Sequence, residues 1–127
     1  MRRCLIGFLF FLAALPLAAA DLSPRTSALA GVTLKATPRG LSGALWEFEI
    51  AFDTHTQNLG DDVAKSAQLL ADGVPHAALE WRGDPPGGHH RKGVLRFKAV
   101  SPPPQAIELR IQRAGEAAPR SFRWELR

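Results

Sequence analysis

Three histidines and three aspartates fall in two short stretches, Asp53-Thr54-His55 with Asp61-Asp62 close behind, and Gly87-Gly88-His89-His90-Arg91-Lys92. Neutral imidazoles joined by a carboxylate are the donor set for copper or zinc, provided the nitrogens converge to about 2.0–2.1 Å from one ion. His89 and His90 are adjacent, and adjacent side chains of extended backbone point to opposite sides. One of them can therefore meet His55, whereas both together require the turn that Gly87-Gly88 permits. The candidate metal set is His55, His89, His90 and a carboxylate, with Asp53 first and Asp61 or Asp62 as alternatives. The competing reading is structural: loop histidines bonded to backbone carbonyls, with Asp53 closing an Asx turn. A third assigns Arg91 and Lys92 as charged contacts for a protein partner. Catalysis has no such constellation. Ser66, Ser101 and Ser121 lie in or beside strands without a histidine nearby in sequence, and the one cysteine is Cys4. The chain is therefore expected to be non-enzymatic, with no cofactor beyond a copper or zinc ion.

The compartment is written at the start of the chain. MRRCLIGFLFFLAALPLAAA has a basic beginning, an apolar run, a proline and a closing string of alanines. Those are the parts of a secretory signal peptide over residues 1–20, cleaved before Asp21. Its apolar run is shorter than the roughly 20 residues that span a bilayer, so no membrane insertion is expected after cleavage. Arg2-Arg3 leaves general and twin-arginine export both open. The expected location is periplasmic or extracellular. Cys4 departs with the signal, so stability must come from a hydrophobic core rather than a disulfide. Loss of Arg2 and Arg3 also brings the net charge down from +4. A near-neutral exported chain without a basic tail is not expected to meet nucleic acid.

Those residues need a scaffold, and the rest of the sequence supplies strands. Residues 21–30 are polar, small and without periodicity, and read as a flexible leader. From 31 to 127 a single domain follows, with alternation of period two in GVTLKAT, LWEFEIAFD, SAQLLAD, AALEWR, VLRFKA, AIELRIQR and SFRWEL. The second is the clearest, since Trp46, Phe48, Ile50 and Phe52 face one way and Glu47 and Glu49 the other. Asp72-Gly73 predicts a hairpin between the third and fourth runs, with Leu79 and Trp81 inward. Ser101-Pro102-Pro103-Pro104 marks a connection rather than a strand. Seven short strands with little helix predict an all-β fold, one antiparallel immunoglobulin-like or fibronectin-like sandwich.

If the strands alternate up and down, the connections sort by parity into two ends. Pro38, His76 and the proline run share one end. Asp53, His55, Asp61, Asp62, the Gly87–Lys92 loop and Glu116 share the other, so three of four histidines gather there. Trp46, Trp81 and Trp124 are in phase with the inward residues and belong to the core rather than to a sugar platform. Pairing of the second strand with the fifth would set Glu47 and Glu49 beside Arg96 and Lys98 as a charge-balanced outer face.

From residue 45 to 126 the chain resembles a group of short exported or membrane-anchored bacterial proteins of unassigned role. The resemblance rests on WEFEIAFDTH, LGDDVAK, WRGDPPGGHHRKGVLRF and FRWEL, with DTH and PPGGHHR-G-V-L-x-F most specific. Here TQNLGDD follows DTH and departs from the group's more apolar-acidic run. The resemblance implies an exported β-sandwich and points to His55, His89, His90 and Arg91. Three functions remain open: a binding or accessory module presenting the histidine-rich end to another envelope protein, a copper- or zinc-binding domain using that end, and a structural subunit of an envelope assembly.

Overall fold

The structure is a computed structural model that describes Gly7 and residues 20–127. Apart from Gly7 and Ala20, the expected signal peptide lies outside the described residues. Among the described residues nine strands and one helical turn follow in order: β1 (Arg25–Leu29), β2 (Val32–Gly40), β3 (Leu45–Thr54), α1 (Val63–Ser66), β4 (Ala67–Ala71), β5 (Val74–Ala77), β6 (Glu80–Gly83), β7 (His90–Lys98), β8 (Ala106–Ile111) and β9 (Arg120–Glu125). Among the described residues no helix is long and apolar enough to cross a membrane.

The strands form two antiparallel sheets, β1-β2-β3-β7-β6 and β5-β4-β8-β9. With β1 and β5 set aside, this is the four-plus-three arrangement of an immunoglobulin sandwich, as expected. The periodicity explains the layering. Trp46, Phe48, Ile50 and Phe52 of β3 are buried, as are Leu95 and Phe97 of β7, Ile107, Leu109 and Ile111 of β8, and Phe122 and Trp124 of β9. Phe48 joins the layers, with its ring 5.7 Å edge-on to Phe97 in its own sheet and 5.8 Å from Trp124 in the other. Each such fully buried side chain contributes about 1.5–3 kcal/mol.

Two elements differ from the expectation. The segment read as a leader contains β1, which pairs with β2 from Arg25↔Ala36 to Leu29↔Val32. Its faces are largely exposed, so it carries no apolar alternation to find. Main-chain pairing holds it, together with two side chains from β9: Arg120 donates to Ser27 O and Leu29 O, and Trp124 Nε1 donates to Ser23 O. The run read as one strand, AALEWR, is divided between the sheets. Asp72-Gly73 does turn β4 into β5, but β6 pairs with β7 in the opposite layer. Because the chain changes sheets between them, the inward face changes too. Leu79, expected inside, is 57% exposed, and Trp81 is half-buried at the rim.

β3 pairs with β7 as expected, and Glu47 lies opposite Arg96 with 3.0 Å between the charged groups. The second expected pair is different. Glu49 is opposite Val94 and bonds Arg39 and Lys92, while Lys98 is opposite Leu45.

Candidate functional site at the loop end

β5 and β6 both run away from the Asp72-Gly73 turn, so the switch between sheets adds a strand without reversing the chain. The parity argument therefore survives the extra element. The Ala30-Gly31 turn and the connections 55–62, 84–89 and 112–119 all meet at one end of the sandwich. Thr54 N donates to His89 O at 2.9 Å, and Gly87 N to Leu59 O at 2.8 Å, which fastens two of these connections together.

Most residues of WRGDPPGGHHRKG shape this end. Gly83 and Gly93 face each other across β6 and β7, and a Cβ on Gly93 would lie 2.5 Å from Gly83 Cα and 2.7 Å from the Trp81 ring. Only the absence of both side chains lets the indole lie across the pair. Trp81 then donates through Nε1 to Asp84 O, and its ring stands edge-on to Phe52. Asp84 accepts Lys92 N on its carboxylate. Gly87 and Gly88 take φ of 112° and 73°, so the loop can reverse at their position. Arg91 turns inward, 3% exposed, with its guanidinium 5.6 Å over the Trp81 ring. It donates to Asp84 O through Nε and to Leu59 O and Asp61 O through Nη1.

Two further buried arginines, which sequence reading did not single out, continue this arrangement into the other sheet. Arg113 donates through Nε and Nη2 to the two Asp61 carboxylate oxygens at 3.0 and 3.1 Å. Arg120 holds the Glu116 carboxylate by a similar fork at 2.9 and 2.7 Å, and its remaining donors reach Ser27 O, Leu29 O and Val32 O. Arg113 also approaches Glu116, at 3.7 Å. These bonds run from β7 through the 55–62 connection to β8 and β9, then back to the β1-β2 turn. The bond to Arg120, with its charge and that of Arg113, holds the Glu116 carboxyl below the usual carboxylate range against the opposing effect of burial. One signal for Arg120 lay in the sequence, because it is in phase with the inward Phe122 and Trp124.

The candidate metal residues are placed less tightly. His90 Nδ1 lies 2.5 Å from Asp53 Oδ1, both groups being well exposed. His55 and His89 are exposed neighbours of the Thr54–His89 backbone bond. Asp61 is committed to Arg113, and Asp62 accepts Lys65 N as the N-cap of α1. Among the described residues no three His, Cys, Asp or Glu side chains are grouped to hold a metal ion. Of the partner-contact candidates, Lys92 is exposed and 3.2 Å from Glu49, while Arg91 is inside. Two clefts flank Gly60-Asp61-Asp62. One, of about 370 Å³, is polar, with Gln57, Asn58, Ser66 and Arg113. The other, of about 210 Å³, lies against Val63, Trp81, Pro86 and Arg91.

No family model matches the chain, and no curated protein does. Among solved structures the chain is similar to MPT63, a secreted protein from Mycobacterium tuberculosis, at 16% identity over 89% of this chain and 99% of that one, with a TM-score of 0.49.

Proposed function

We propose that the chain is a non-catalytic, exported β-sandwich module that presents its loop end to another envelope protein. One observation carries this reading: three buried arginines fasten the connections at that end to each other and to both sheets. A surface fixed in this way binds without first having to order its loops, which removes one of the main costs of association. His55, His89, His90 and Lys92 stand outward on that surface as side chains a partner can reach. Export rests on the basic start, apolar run and alanine-rich close of residues 1–20. The test is site-specific photo-cross-linking in intact cells, with the reactive group at His89 or, as control, at Val74 beside the opposite turn. A discrete adduct from position 89 alone is expected. No adduct there, or the same adducts from both positions, overturns the reading.

A copper or zinc site is the second reading, favoured by the Asp53–His90 contact. A carboxylate on one ring nitrogen orients an imidazole with the other outward, as second partners of ligating histidines do. Titration with each ion while thermal stability is followed separates the two readings. A site at 100 times its dissociation constant adds about 2.7 kcal/mol. An unchanged melting point, or the same shift in His55→Ala and His89→Ala as in the parent, removes the metal reading.

A further inference from the structure

Arg91 differs from the other two buried arginines at this end. Arg113 and Arg120 each grip a carboxylate in a fork, whereas Arg91, about as buried as Arg120, makes no ion pair among the described residues. A buried guanidinium is ordinarily matched by an anion, because carbonyl dipoles replace water but leave the charge uncompensated. Its Nε and Nη1 have carbonyl acceptors, and Nη2 has none among the described residues. The same side chain lines an open cleft of about 210 Å³ together with Trp81, Pro86, Val63 and Gly60. The two acids at this cleft are engaged elsewhere, Asp61 with Arg113 and Asp62 with the first turn of α1.

We propose that this cleft is a carboxylate-binding subsite, in which Arg91 Nη2 receives the anion while Trp81, Pro86 and Val63 contact an apolar body of about one side chain. The proposal rests on the loop end being the binding face and names what that face would recognise: the chain-terminal carboxylate of a protein partner that ends in an apolar residue. Charge-assisted hydrogen bonding to guanidinium supplies selectivity for the ionised acid, and the cleft of about 210 Å³ has room for one apolar side chain.

The test uses the unaltered mature protein, because Arg91→Ala removes bonds that hold two loops and would confound binding with folding. N-acetylphenylalanine and its amide are titrated separately while the indole N–H resonances are followed. Trp81 Nε1 and Arg91 Nε share Asp84 O as acceptor, so Trp81 reports on the site, with Trp46 and Trp124 as internal controls. The acid is expected to shift the Trp81 signal saturably, with the amide at least about tenfold weaker and the other two indoles unmoved. Asp62→Asn, which keeps a capping side chain, removes a negative charge at the rim and should tighten the acid about twofold. N-acetylglutamate α-amide examines a side-chain carboxylate instead, and binding equal to that of N-acetylphenylalanine overturns the terminal assignment. Equal response to acid and amide, or no response at Trp81, overturns the subsite even where the His89 cross-link is obtained. An acid-specific response without that cross-link keeps a carboxylate-binding cleft but overturns both the partner reading and the assignment of the anion to a partner's terminus.

Discussion

The two ends of the sandwich solve the same problem by different means. At the Asp72-Gly73 end the connections are largely held by main chain, with Asp72 N donating to Ala106 O, Leu126 N to Gln105 O and Ala99 N to Ala44 O. One carboxylate helps, as Asp72 accepts Gln105 N and Ala106 N. At the loop end, side chains bridge the 55–62, 84–89 and 112–119 connections and the start of β2. There Arg91 and Arg120 take over, reaching the carbonyls of Ser27, Leu29, Val32, Leu59, Asp61 and Asp84, while Arg113 grips the Asp61 carboxylate. Arginine suits this task because one planar group carries five donors and stays charged. The difference teaches that a charged residue beside a loop can be as much a part of the interior as a phenylalanine.

The comparison breaks first at Arg120. Arg120→Ala leaves Glu116 buried beside a single, more distant arginine and frees three carbonyls, so a loss of about 3–5 kcal/mol in urea unfolding is expected. A loss near that of an ordinary surface change would show that water replaces the guanidinium freely. The acid limb of stability reports on the same pair. Glu116 has a folded pKa below its unfolded one, chiefly through its bond to Arg120, so its contribution is fully present above the unfolded carboxylate range. The contribution declines as pH falls and is gone once pH has passed the folded value. Glu116→Gln should flatten this limb, as read by unfolding across pH 2–6, a range of roughly two units either side of the ordinary carboxylate pKa.

Gly93→Ala is next in size. It places a Cβ against the Gly83 backbone and the Trp81 ring, and overpacking of this kind costs about 1–3 kcal/mol. Paired loss of the Trp81–Asp84 bond would appear as a shift of the Trp81 indole N–H. An unchanged resonance and stability would mean that the indole has room to move aside.

How much of this was legible follows from what each residue's partner is. Phe48, Ile50, Leu109 and Trp124 were readable because a buried face repeats every second residue whatever lies opposite. The gathering of Asp53, His55, Asp61, His90 and Glu116 at one end was readable too, since parity needs only strand order. β1 was not, because its partners are backbone groups and two side chains from β9, nearly a hundred residues away. The burial of Arg91 was hidden for a related reason. Beside Lys92 it reads as a charged surface, yet its position places it in phase with Leu95 and Phe97, and the carbonyls that accept it come from loops without periodicity. The division of AALEWR was hidden because alternation registers an inward face but not which sheet supplies it.

At the other end, Asp72→Ala leaves two backbone N–H groups without their acceptor, one of them on an exposed residue, for an expected loss of about 1 kcal/mol. The main-chain bonds around it should persist, which amide exchange at Leu126 and Ala99 can check. A loss as large as that for Arg120 would erase the distinction between the ends.

The smallest effect is expected at the residues that first draw the eye. His90 and Asp53 touch, but both are well exposed, so water competes for each partner and little is gained by holding them together. His90→Ala should change stability by no more than about 0.5 kcal/mol, the usual range for a surface substitution. His89→Ala should change it no more, since only its backbone carbonyl is used, in accepting Thr54 N. If either costs above about 1 kcal/mol, the histidines belong with the buried arginines as fasteners of the loop end. If both are silent in stability, the loop end divides into an interior of arginines that sets its shape and an outer layer of histidines free to contact a partner.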